Sequence, residues 1–152
     1  MDTVFNNIYR GKRVFITGHT GFKGSWLALW LNQLGAQVTG YSLDIPSQPS
    51  HFELLKLPVT SIMGDILDQT KLTQAIEQMQ PDIVFHLAAQ SLVRESYTSP
   101  VSTFATNVMG TVNVLESCRQ VKSVKAILNI TSDKCYHNDE SGKNYQETDA
   151  LG

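Results

Sequence analysis

The sequence predicts an α/β fold: a doubly wound parallel sheet of about five strands, incomplete along one side. Three observations carry that expectation. Short apolar runs rich in β-branched residues alternate with helical patterns, and three evenly spaced glycines follow the first run. A length of 152 residues suffices for one domain with a core, but not for two.

Candidate strands lie at Arg13–Thr17, Gln37–Tyr41, Val59–Met63, Asp82–Leu87 and Ala126–Thr131. A strand covered on both faces reads as a continuous apolar run rather than an alternating one, and these do. In the first helical pattern Trp26, Leu27, Trp30, Leu31 and Leu34 form an apolar stripe, with Gly35 as the stop. Pro46 and Pro49 mark a loop, and Phe52–Lys56 predicts a helical turn. A helix over Gln69–Met79 presents Leu72, Ala75, Ile76 and Met79 on one face, with Pro81 beyond its end. The longest helix is expected from Pro100 to about Gln120, with Phe104, Val108, Val112, Leu115 and Arg119 near the helical period. Ser99 before Pro100 gives it a hydroxyl cap and a proline at the first position. Beyond Thr131 the chain turns polar, and no helix or strand is expected from His137 to Gly152.

Composition narrows the function. The chain is 41% apolar and 17% charged, which excludes a disordered tail, collagen or a disulfide-stapled miniature. A net charge of −2 with scattered basic residues leaves no footprint for nucleic acid or an anionic membrane. Cys118 and Cys135 form no disulfide framework and match no metal spacing, so no metal site is expected. No apolar stretch approaches the ~20 residues of a membrane span, and none near Met1 resembles a signal peptide. A soluble, reduced, cytoplasmic domain is the expectation.

The chemistry starts at Thr17-Gly-His-Thr-Gly-Phe-Lys-Gly24. A pyrophosphate can sit on a helix N-terminus only where the turn is tight and no Cβ blocks the backbone. Gly18 would make the turn, Gly21 would admit the phosphates to bare amides, and Gly24 would let the helix pack closely on the sheet. With a strand before and a helix after, this is the context that makes such spacing a dinucleotide site, and the expected fold a Rossmann-type one. Thr20, Phe22 and Lys23 complete the expected phosphate-binding turn.

Asp44 lies about 20–26 residues beyond the glycines, where a carboxylate bonds ribose hydroxyls. Between Tyr41 and Leu55 there is no Lys or Arg to receive a 2′-phosphate, so NAD is favoured over NADP. Asp65 and Ile66 follow the third strand, where an adenine would lie. Leu87, Ala88 and Ala89 close the fourth, where small residues suit close passage of a cofactor. His86 reads as a satisfied core histidine, and Asn107 as a residue that bonds backbone near the cofactor.

These residues, with Gly64-Asp-Ile66, His86-Leu-Ala-Ala-Gln-Ser91, Asn107-Val-Met-Gly-Thr111 and Thr131-Ser-Asp-Lys-Cys-Tyr136, resemble the extended short-chain dehydrogenase/reductase family. The variants His-Thr-Gly-Phe-Lys-Gly-Ser-Trp and Ser-Asp-Lys-Cys-Tyr narrow the resemblance to its sugar-nucleotide 4,6-dehydratases acting on CDP-glucose. The resemblance implies a lyase of deoxysugar and lipopolysaccharide biosynthesis that holds NAD tightly and works as a homodimer. It implies that Ser132 orients or helps deprotonate the C4 hydroxyl, Asp133 is the acid at C6 and Lys134 the base at C5. An epimerase or dehydratase for another sugar nucleotide, or a cofactor-binding module without turnover, are the alternatives; the Asp133-Lys134 pair favours elimination.

One part of the family pattern is missing. A tyrosine followed four residues later by lysine serves its hydride chemistry, but Tyr9, Tyr41, Tyr97, Tyr136 and Tyr145 are followed by Arg13, Ile45, Val101, Glu140 and Asp149. Residues 1–152 are therefore expected to be the N-terminal portion of a cofactor-binding domain, without a C-terminal substrate domain and inactive alone.

Overall fold

The computed structural model describes residues 4–138, 140 and 142–152, and of Asp133 the main chain only. Five strands form one parallel sheet: β1 (Arg13–Thr17), β2 (Gln37–Ser42), β3 (Thr60–Met63), β4 (Ile83–His86) and β5 (Ala126–Asn129). Their order is β3-β2-β1-β4-β5. Connections from β1 run outward to β2 and β3 on one side and to β4 and β5 on the other, so the sheet reverses direction between β1 and β4. Ligands bind at the carboxyl ends of such a reversal.

Helices α1 (Phe22–Gln33), α2 (His51–Leu55), α3 (Gln69–Met79), α4 (Val93–Thr98), α5 (Pro100–Phe104) and α6 (Thr111–Arg119) complete the fold. Alternating side chains of the strands feed two cores, one on each face. Val14, Ile16, Val38 and Phe85 pack with Ala28 and Leu31 of α1. Phe15, Tyr41 and Val84 pack with Leu72 and Ile76 of α3 and with Val114 and Cys118 of α6. Leu72 and Ile76 are fully buried, each stabilising the fold by about 2 kcal/mol.

Helix α3 matches its expected span and buries Leu72, Ala75 and Ile76. The Asp68 side chain caps it by accepting from the Lys71 amide. Of the two other stripes read from the sequence, the one in α1 is buried only in part, at Leu31 and partly at Leu27, and the one over Pro100–Gln120 is not the face buried there. In α1 the sheet side is Gly24, Ser25, Ala28 and Leu31, while Trp26 and Trp30 are half-exposed. Part of Trp26 is covered by α2: His51 stacks on it at 4.4 Å and reaches Ser25 Oγ at 2.7 Å.

Likewise, the single helix expected over Pro100–Gln120 is interrupted by a π-helical segment at Ala105–Gly110. Its inward residues are Gly110, Val114, Ser117 and Cys118; Phe104, Val108, Val112 and Leu115 are exposed. Gly110 allows a close approach to the loop after β3, where a Cβ would strike Ile66.

Ser99 stands at the expected cap position, but its hydroxyl makes no capping bond; its carbonyl accepts from Thr103 instead. Helix α4 has no counterpart in the sequence reading. Strand β5 stands at the edge of the sheet and is exposed along its length. After it, Asp133–Cys135 form a short 3-10 turn, and Tyr136 bridges Leu151. Among the described residues no helix is long and apolar enough to cross a membrane.

Candidate functional site

Strand β1 ends at Thr17, and the chain turns at once through Gly18, whose φ of +75° disfavours any other residue. The Gly18 amide donates to the Tyr41 carbonyl at 2.8 Å, and the Gly21 amide donates to the Gly18 carbonyl at 3.2 Å. A Cβ on Gly18 would stand 2.9 Å from the Ala88 nitrogen, so the turn is pressed against the exit of β4 where the sheet reverses. Gly24 has a different reason from the one expected. A Cβ there would collide with the Gly18 carbonyl oxygen, so the close packing is within the turn itself rather than against the sheet.

Gly21 is the cap residue of α1 and makes no side-chain cap bond. The first-turn amides of Phe22, Lys23 and Gly24 therefore open the helix with no capping side chain over them, at its positive end. A Cβ on Gly21 would meet only the Gly18 oxygen, at 3.3 Å. Phe22 and Lys23 point outward and are exposed.

His19 and Thr20 turn inward. Thr20 Oγ1 donates to the Asp44 carbonyl at 2.6 Å, and the Thr20 amide donates to Ser42 Oγ at 3.3 Å. These bonds fix the end of β2 beside the turn and leave the Asp44 residue exposed there. The His19 ring is fully buried, with Ser42 Oγ and Ser61 Oγ each 2.7 Å from one of its nitrogens. Burial lowers its pKa to about 4, outweighing the Tyr41 carbonyl, which raises it.

Across the reversal, Thr17 Oγ1 accepts from the Leu87 and Ala88 amides and lies 2.7 Å from His86 Nδ1. His86 Nε2 lies 3.0 Å from Thr111 Oγ1, which donates to the Asn107 carbonyl. His86 is thus the satisfied core histidine expected, and burial lowers its pKa. The Asn107 carboxamide accepts from the Gln90 amide and donates to the Gln90 carbonyl, clamping the segment after Ala89. The π-helical segment carries Asn107 to that position.

Asp65 accepts from the Leu67 amide through Oδ1, and its carbonyl accepts from the Tyr41 hydroxyl. Ile66 gives its side chain to the core, leaving only its main chain near the strand end. Ser132 and Lys134 follow the carboxyl end of β5, two strands from β1, and are exposed. The Lys134 amide donates to Ser132 Oγ at 3.3 Å. The Asp133 side chain lies outside the described residues.

The structure thus brings the glycine turn, Asp44, Asp65 and Leu87–Ala89 to one edge, the carboxyl ends of β1 to β4. Sequence reasoning missed three supports of that edge: His19, Thr17 and Gln90. The signal for His19 was Gly40, a glycine in a strand interior, which marks a close approach.

The family described as GDP-mannose 4,6 dehydratase matches residues 15–151. The chain is 55% identical over 148 residues to CDP-glucose 4,6-dehydratase of Salmonella typhimurium, covering 96% of this chain and 41% of that protein. It is 35% identical over 106 residues to UDP-glucose 4-epimerase of Mycoplasma genitalium, covering 69% of this chain and 31% of that protein. Among solved structures, the epimerase Mth375 of Methanothermobacter thermautotrophicus superposes with a TM-score of 0.82 at 29% identity, over 94% of this chain and 42% of its own. UDP-glucose 4-epimerase of Thermus thermophilus, in complex with NAD, superposes with a TM-score of 0.79 at 29% identity, over 92% of this chain and 44% of its own. The chain spans about two-fifths of the length of its dehydratase relative.

Proposed function

The chain belongs to the GDP-mannose 4,6 dehydratase family, and from that membership we propose that it is the NAD-binding portion of a sugar-nucleotide 4,6-dehydratase acting on CDP-glucose. One observation carries the cofactor part. Gly18 is seated against Ala88 at the reversal of the sheet, and the bare cap residue Gly21 leaves the N-terminus of α1 uncovered beside it. That cradle fits two linked phosphates, and a side chain at Gly21 would intrude on it.

In this reading the amides of Phe22, Lys23 and Gly24 hold the pyrophosphate. The Asp44 carboxylate takes the ribose hydroxyls and repels a 2′-phosphate, which selects NAD. Asp65 and the Ile66 main chain border the adenine. Ala88 and Ala89, held by Thr17 and by the Asn107–Gln90 clamp, leave room for the cofactor to pass. When bound, NAD would supply the hydride acceptor for sugar C4 and the hydride donor for C6.

The 55% identity to the Salmonella enzyme supports CDP-glucose as the substrate and the Ser132-Asp133-Lys134 run as the acid–base group. Ser132 orients the C4 hydroxyl. Once C4 is a ketone the C5 proton is acidified; Lys134 removes it while Asp133 protonates the departing C6 hydroxyl. The exposed stripe of Phe104, Val108, Val112 and Leu115 supports a homodimer through these helices.

None of the five tyrosines is followed four residues on by a lysine, so the chain binds NAD without completing turnover. The test is incubation of the purified chain with NAD and CDP-glucose, reading the 4-keto product by its absorbance in alkali. No product is expected. Product at a steady rate would overturn the assignment of this chain as the binding portion alone.

A further inference from the structure

The proposed NAD site has a support that the family comparison does not assign. We infer that His19 is a positioning residue for the pyrophosphate turn: its ring ties the turn to the ends of two strands at once and so aims the amides beside Gly21. The inference rests on the cofactor reading above.

His19 lies between Gly18 and Gly21, in the part of the turn whose main chain must face a ligand. Its side chain goes the opposite way, into the sheet. Room for the ring exists because β2 carries Gly40, where a Cβ would fall within the imidazole. Phe52 of α2 closes the far side, edge-on at 4.9 Å. Space-filling alone would be served by any ring.

The polar contacts are more specific than that. One nitrogen meets Ser42 Oγ of β2 and the other Ser61 Oγ of β3, both at 2.7 Å. Ser42 Oγ also accepts from the amide of Thr20, the next residue of the turn. Two consecutive turn residues are therefore referred to one hydroxyl, and β3 adds an independent brace. With its ring held at both nitrogens, His19 has little freedom to rotate, and the main chain from Gly18 to Gly21 has correspondingly little freedom to tilt its amides.

Such a brace acts on phosphates and not on the adenine, which sets the test. ADP and adenosine are titrated into the wild-type chain, His19→Phe, Ser61→Ala and Ser61→Thr, with thermal melts alongside. His19→Phe keeps the ring and loses both bonds; ADP affinity is expected to fall about tenfold with adenosine affinity unchanged. Ser61→Ala, at an exposed residue, removes one bond and should weaken ADP about threefold, while Ser61→Thr restores it. If His19→Phe does not fold, the Ser61 pair carries the test. Unchanged ADP affinity in these variants, or an equal loss for adenosine, would overturn the inference. A wild-type chain that binds neither NAD nor ADP fails earlier, at the cofactor reading itself.

Discussion

Thr17 Oγ1 and His86 Nδ1 lie 2.7 Å apart, and this contact joins β1 to β4 where the sheet reverses. The Thr17 hydroxyl already accepts from the Leu87 and Ala88 amides, so its hydrogen goes to Nδ1. That assignment leaves the Nε2 proton for Thr111 and makes His86 a neutral imidazole with both nitrogens used.

Replacing Thr17 by Val keeps the shape but strands the Ala88 amide and the His86 Nδ1, while the Leu87 amide keeps the Thr17 carbonyl. A loss of roughly 2–4 kcal/mol is expected by urea denaturation. Thr17→Ser, which keeps the oxygen, should stay within about 1 kcal/mol of the wild type. Equal stability of the two variants would show that the hydroxyl contributes nothing.

The two buried histidines make the fold acid-sensitive. His19 stays neutral down to about 4, whereas in the unfolded chain it charges near 6.5. Between those values the unfolded form binds more protons, so stability rises with pH through that window and the contribution is complete above it. His86 acts in the same direction. His19 alone should cost about 2 kcal/mol between pH 6.5 and 5. Urea midpoints across this range should slope less steeply for His19→Phe than for the wild type; parallel slopes would count against a neutral buried ring.

Gly24→Ala drives a methyl into the Gly18 carbonyl, and no flexible side chain is there to yield. A destabilisation of roughly 2–4 kcal/mol is expected, visible as a lower melting temperature without any ligand. A melt unchanged by the methyl would mean that the turn is looser than its geometry indicates.

If Asp44 takes the ribose hydroxyls as proposed, Asp44→Ala should narrow the preference for NAD⁺ over NADP⁺ by about tenfold, since its carboxylate would both bind those hydroxyls and repel a 2′-phosphate. Calorimetric titration with each nucleotide measures the ratio. The Thr20 bond to the Asp44 carbonyl is to main chain and survives the substitution, so the fold should be retained.

Much of this was legible in the sequence. The inner strands β1, β2 and β4 showed themselves because a buried parallel strand has to be apolar on both faces, and β1 with its glycines placed the turn; β3 and β5, read by the same rule, are exposed edge strands. Helix orientation was harder. Helix α1 is apolar nearly all round, so its period could not tell the Trp26–Trp30 side from the Ser25–Ala28 side. Close packing chose the small residues. The same ambiguity turned Phe104, Val108, Val112 and Leu115 outward and Val114 and Cys118 inward. His19 was hidden for another reason: its partners Ser42 and Ser61 are distant in sequence, and only Gly40 hinted that a ring would need the space.

The account stands on the bare amides at the start of α1. Calorimetric titration of the chain with NAD⁺, beside Gly21→Val, tests it directly. Saturable binding of one NAD⁺ per chain is expected, weakened at least about tenfold by the valine while the melting temperature holds. Absence of binding by NAD⁺ and NADP⁺ alike, or a valine variant that binds as tightly as the wild type, would contradict it.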